Sequence, residues 1–105
     1  MQFTSFLQEG CLTIALTGEI DHHCAKHYMG SILGKIEAYL PSVCILDFSE
    51  VSFVDSSGVA VVINALRAMH QLEGRLEITG LHEQPMRVFR TSGIDKLIVI
   101  REGVL

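Results

Sequence analysis

Apolar and polar positions alternate early in the chain. Phe3 to Leu7 and Cys11 to Thr17 are short β-type runs flanking Gln8-Glu9-Gly10, and in the second Leu12, Ile14 and Leu16 oppose Thr13, Ala15 and Thr17. They predict a hairpin with one better-buried face. After Gly18 and a capping Asp21, Ala25, Met29, Ile32, Leu33, Ile36 and Leu40 recur at three- and four-residue spacing, which predicts a helix stopped by Pro41. Gly30 and Gly34 each weaken that helix by roughly 1 kcal/mol relative to Ala, so it depends on packing or on a close approach. Val43 to Phe48 is a continuous apolar run, as in a central strand covered on both faces, and Ser49 to Val54 reads as a loop. Val59 to Leu72 is apolar nearly all round and of helical length, with Gly74 as its stop. Leu76 and Ile78 mark another strand. Pro85 suits a first helical turn, Met86, Val88 and Phe89 form an apolar stripe, and Ser92-Gly93-Ile94 has the form of a glycine cap with its hydrophobic contact. Leu97 to Ile100 is the last strand. The order β-β-α-β-α-β-α-β predicts an α/β fold: one domain over residues 1–105, with a mixed sheet, an N-terminal antiparallel hairpin and helices packed on it.

Length agrees, since 105 residues make one domain and 49% apolar residues supply a core. Eight Lys and Arg against twelve Asp and Glu leave a net charge of −4, so there is no basic field to hold nucleic acid or an anionic membrane. Cys11, Cys24 and Cys44 lack CxxC spacing and read as free buried thiols of a reducing compartment. The start has no basic and apolar leader pattern, and the most apolar stretch, Val59 to Leu66, is ended by Arg67. A soluble, cytoplasmic protein is expected.

In open α/β sheets function gathers beyond the carboxyl ends of the strands, where Gly18 to His23 and Ser49 to Gly58 fall. Asp55-Ser56-Ser57-Gly58 puts two hydroxyls at the start of an apolar helix, where free N–H groups and the dipole favour an anion such as a phosphate on serine. The plain alternative is that Asp55 or Ser56 is an N-cap, the usual role of such residues before a helix. A serine hydrolase is a poor reading, because Val54 and Gly58 do not make a G-x-S-x-G elbow around Ser56 and only His70 and His82 follow it. His23 and His27 share a helix face, but two ligands are not a metal site, and His22, His23, Cys24 and His27 read as a solvated polar face. No metal, cofactor or catalytic residue is assigned, and Cys24 and His27 receive no role. Asp47, at the end of the central apolar run, raises a receiver domain phosphorylated on aspartate. The acidic pair after the first strand and the strand-end Lys of such domains are missing, since only Glu9 lies in the hairpin and Lys96 precedes the last strand. Asp47 reads instead as a carboxylate that orders a loop.

Three segments carry a resemblance: Leu16-Thr17-Gly18-Glu19-Ile20-Asp21-His22-His23, then Leu46-Asp47-Phe48-Ser49 through Phe53-Val54-Asp55-Ser56-Ser57-Gly58-Val59, and Thr91-Ser92-Gly93-Ile94-Asp95-Lys96. In order and spacing, over nearly the whole chain, they resemble the STAS domain of bacterial anti-sigma factor antagonists. Asp-Ser-Ser-Gly after a buried strand is the most specific element, and Gly-Glu-Ile-Asp-His-His points to the sporulation antagonists rather than to transporter-attached domains. The resemblance implies a small regulator that binds an anti-sigma factor, itself a serine kinase of the histidine-kinase-like ATPase type, and so releases a sigma factor. Phosphorylation switches binding off and a PP2C-type phosphatase restores it. The second serine of the pair, Ser57, is the implied acceptor. Asp21, His22, His23, Asp55, Ser56, Ser57 and Gly58 are the implied partner-binding residues, and the domain alone is expected to be a monomer. An alternative within the same fold is a ligand-sensing or scaffold domain that binds a nucleotide or anion near Asp21 and Ser57.

Overall fold

The structure, a computed structural model, describes residues 2–101. The elements follow the predicted order: β1 (Gln2–Gln8), β2 (Cys11–Ile20), α1 (Ala25–Tyr39), β3 (Val43–Val54), α2 (Ser56–Gln71), β4 (Arg75–Thr79), α3 (Glu83–Ser92), a 3-10 turn (Ile94–Lys96) and β5 (Val99–Arg101). They form one five-stranded mixed sheet in the order β1-β2-β3-β4-β5, with β1 antiparallel to β2 and every other pair parallel. Each parallel step moves to the next strand in the same direction, and right-handed crossovers of that kind put all three helices on one face.

Burial follows. Leu12, Ile14 and Leu16 of β2, Cys44, Leu46 and Phe48 of β3, and Leu76 and Ile78 of β4 join Ile32, Ile36, Val62, Ala65, Met69 and Phe89 of the helices in one core. The alternate positions Thr13, Ala15, Val43, Ile45 and Asp47 are only half-buried, so β3 is covered on one face and not on both.

β3 also runs on through Ser49 to Val54, the stretch read as a loop. The register with β2 shifts between Ala15 and Thr17 and again between Gly18 and Glu19. Burial then changes from every second residue to every third, at Phe48, Val51 and Val54, which hides the strand from a period-two reading.

Four local readings change. In α1 the wholly buried Tyr28 replaces Leu40, which is 65% exposed at the left-handed cap, and Gly30 and Gly34 face open space rather than a close approach. α2 ends at Gln71, and its left-handed residue is Glu73 (φ 58), with Gly74 beside it donating to the Met69 carbonyl. Of the three thiols only Cys44 is fully buried, and desolvation pushes it up to about 12. Leu97 precedes the last strand and is 65% exposed. Gly93 does cap α3 (φ 83), with Ile94 buried behind it.

Candidate functional site

The carboxyl ends of β2 and β3 and the start of α2 meet at Asp55. It is the N-cap of α2: its Oδ1 accepts from the Ser57 amide at 2.8 Å and the Gly58 amide at 3.4 Å. Its Oδ2 accepts from the His22 amide at 3.2 Å, and its own amide donates to the Ile20 carbonyl at 3.3 Å. One side chain thus joins two segments 33 residues apart, and the N-cap alternative and the proximity of the two polar clusters hold together.

Gly58 allows that approach. A Cβ there would stand 2.4 Å from Val54 Cγ1 and 3.1 Å from the Ile20 carbonyl oxygen, so α2 rests directly on the strand ends. Gly58 is buried, and its lack of a side chain admits the helix. Ser56 is exposed and Ser57 half-buried on the first turn.

Asp21 does not cap α1. The helix N-cap is Cys24, which makes no side-chain cap bond, while Asp21 Oδ1 accepts from the His23 amide at 2.9 Å and the Asp21 carbonyl from the amides of Cys24 and Ala25. It orders the turn before the helix. Partial desolvation raises its pKa, but hydrogen bonds from the His23 amide and from the Cys24 thiol and amide outweigh this and hold the carboxyl below its ordinary value. His22 and His23 are exposed, with rings 3.9 Å apart.

Two contributors escaped the sequence reading. The Cys24 thiol donates to the Glu19 carbonyl at 2.9 Å, which latches the loop, and desolvation raises its pKa. Gln84 of α3 grips Val54 from the other side, accepting from its amide at 2.9 Å and donating to its carbonyl at 3.0 Å. The residue before Asp55 is therefore braced like a strand interior. Polar residues near a helix start have many uses, so neither carried a signal. Beside the site Phe53, Val59, Arg87, Val88 and Thr91 line a groove of about 490 Å³.

Asp55 occupies the Ser57 and Gly58 amides at the start of α2, so these two N–H groups are not free to hold an anion. Asp47 lies in the middle of β3, not at a strand end, and accepts from the Ser49 amide at 2.9 Å within the same strand, where the pairing with β2 shifts, so it orders the irregular part of the strand and not a loop. No cluster of three or more metal-binding side chains occurs, and no helix is long and apolar enough to cross a membrane, among the described residues.

Residues 7–104 match the STAS domain family. The anti-sigma-B factor antagonist of Listeria monocytogenes is 29% identical over 93 residues, 86% of this chain and 78% of that protein. The anti-sigma F factor antagonist of Lysinibacillus sphaericus is 30% identical over 83 residues, 79% and 71% respectively. The structure of the anti-sigma factor antagonist SpoIIAA in its unphosphorylated form is similar with a TM-score of 0.84 at 26% identity, over 98% of this chain and 89% of that one. The phosphorylated form of the Bacillus protein gives 0.76 at 26% identity, over 98% and 92%.

Proposed function

The chain belongs to the STAS domain family, and from that premise we propose that it is an anti-sigma factor antagonist switched by phosphorylation of Ser57. The unphosphorylated protein binds an anti-sigma factor, a histidine-kinase-like ATPase that is also its serine kinase, and frees the sigma factor. A PP2C-type phosphatase resets it. The domain occupies residues 1–105, acts in the cytoplasm and has no catalysis of its own. The two relatives are named for different sigma factors at nearly equal identity, so the proposal is for the class of partner.

The observation that carries this reading is the double engagement of Asp55. By accepting from the α2 amides and the His22 amide it ties the start of α2, which carries Ser56 and the half-buried Ser57, to the turn that carries Asp21, His22 and His23. A phosphate brings about −1.5 to −2 charges at pH 7. With Asp55 on the nearest amides, that charge is not absorbed by the helix start and meets the partner instead. One modification blocks contact without refolding the domain. The same occupied amides count against the nucleotide- or anion-binding alternative.

The test uses the cognate kinase. Mass spectrometry after incubation with Mg-ATP should find phosphate on Ser57, and modification mainly on Ser56, Thr91 or Asp47 rejects the assignment. Ser57→Ala should bind the anti-sigma factor and stay bound. Ser57→Glu should lose roughly 2–5 kcal/mol if the contact is desolvated, toward the lower end because Glu carries one charge. Equal affinities for all three proteins would sink the switch.

A further inference from the structure

α2 packs against α1 on one side and against α3 on the other. The turn with Asp21, His22 and His23 leads into α1. On the α3 side the groove of about 490 Å³ opens between the end of β3, the first turn of α2 and α3. Asp55 and Ser56 line the groove and also belong to the surface proposed for the partner, so the two are continuous. Ser57 stands about 100° round the helix from Ser56 and is not on the groove wall.

The walls are apolar. Phe53 of β3, Val59 of α2 and Val88 of α3 supply them, and Phe53 is 39% exposed although its neighbour Val54 is buried. An aromatic ring open at the mouth of an apolar groove is the kind of side chain in which protein interfaces are enriched.

Most polar groups around the groove are spent. Gln84 holds the backbone of Val54, and Asp55 holds the amides of Ser57 and Gly58. The Ser92 hydroxyl donates to the Phe89 carbonyl at 2.9 Å and accepts from the Ile94 amide at 3.3 Å. Arg87 is the exception that carries charge. Among the described residues its guanidinium makes no hydrogen bond and no ion pair, even with Glu83 one helical turn before it, and the Thr91 hydroxyl is unbonded one turn after it. An exposed cation without a partner, on a chain of net charge −4, complements a carboxylate. Arg87 and Thr91, at i and i+4 of one helix face, present their donors side by side.

Resting on the reading of the chain as an anti-sigma factor antagonist, we propose that this groove is a second contact for the anti-sigma factor. It takes one large apolar side chain of the partner, and an Asp or Glu beside that side chain pairs with Arg87. The partner then straddles the first turn of α2, with the switch at Ser57 on one flank and this anchor on the other. A protein seated on Asp55 and Ser56 already meets one wall of the groove, which favours it over a free amphiphile carrying the same carboxylate.

Isothermal titration of the full chain with its anti-sigma factor tests this. Arg87→Glu and Phe53→Ser should each weaken binding at least roughly tenfold, with an unchanged circular dichroism spectrum. Arg90→Glu makes the same charge change on α3 outside the groove and should leave affinity within about twofold, and the Arg87→Glu effect should shrink as salt is raised. Charge reversal at one surface Asp or Glu of the anti-sigma factor should restore binding to Arg87→Glu. Wild-type affinity in both Arg87→Glu and Phe53→Ser, or an equal loss from Arg90→Glu, overturns the proposal. If Ser57→Glu still loses binding in that case, the switch stands without the groove, and if it does not, the reading beneath falls as well.

Discussion

Asp55 and Glu77 each hold together segments far apart in the chain, but with different partners and different exposure. Asp55 is half-buried at the start of α2 and binds three backbone amides, from His22, Ser57 and Gly58. Glu77 is 3% exposed on the face of the sheet away from the helices, and grips Arg75 at 2.8 Å and Arg101 at 2.6 Å. Backbone amides cannot swing away, so Asp55 fixes positions and angles at the surface proposed to receive the partner. Arginine side chains 60% exposed can swing, so Glu77 fastens the short β5 without defining a shape. Rigid backbone engagement marks the site, and ion pairing marks the seam.

The largest effect should come from breaking the site's seat. Gly58→Ala puts a methyl group 2.4 Å from the buried Val54 Cγ1 and 3.1 Å from the Ile20 carbonyl oxygen, so the valine side chain has to shift and the carbonyl has to give way slightly. A loss of about 1–3 kcal/mol in chemical denaturation is expected, together with weaker partner binding. Unchanged stability would show that α2 does not rest on the strand ends.

Asp55 itself can be divided. Asp55→Ala should cost about 0.5–2 kcal/mol through the lost cap. Asn caps helices as well as Asp does, so Asp55→Asn should regain most of that stability, while its amide group has no second acceptor for the His22 N–H. Partner binding should therefore stay weak in Asp55→Asn although the helix is restored. Full recovery of binding would reduce Asp55 to a cap.

Glu77 gives the contrasting result. Its carboxyl is held below the ordinary value, first by the hydrogen bond from Arg101, then by the charges of Arg101 and the bond from Arg75, against the desolvation that raises it. A depressed carboxyl stabilises the fold above its unfolded value, near 4.5, and the contribution is lost as pH falls through the folded value. Wild type should thus lose more stability than Glu77→Gln between pH 5 and pH 3. The difference at pH 7 should be about 1 kcal/mol, closer to an exposed pair than a buried one because both arginines are open to water. Partner binding at neutral pH should not change, and parallel pH profiles would remove the ion pairs from the stability of β5.

The contrast explains what was legible in the sequence. Local chemistry was: the turn at Glu9 and Gly10, the Gly93 cap, the apolar spacing of α1 and the Asp55-Ser56-Ser57-Gly58 start of α2 each depend on residues a few positions apart. Chemistry that reaches across the chain was not. The amide of Gln84 on Val54, the hydroxyl of Tyr28 on the Thr17 carbonyl and the arginines on Glu77 join partners whose meeting depends on the finished sheet. β3 was lost halfway because the bulged pairing with β2 changes the period of burial, and its open face was missed because Val43 and Ile45 are apolar whether or not a helix covers them.

The smallest stability effect should come from Asp21, where the same comparison sharpens function. Its carboxylate accepts from the His23 amide and meets the Cys24 thiol at 3.5 Å, contacts within one turn that water can replace. The turn keeps other ties, from the Cys24 thiol to the Glu19 carbonyl and from the His22 amide to Asp55. Asp21→Ala should therefore barely move the thermal midpoint. Affinity for the anti-sigma factor should still fall, because the side chain stands on the loop that Asp55 holds against the start of α2. Titration of the partner beside thermal denaturation separates the two. A lowered midpoint with unchanged affinity would make Asp21 a turn-former only and confine the contact surface to α2, whereas weakened binding on an intact fold extends it across both segments that Asp55 joins.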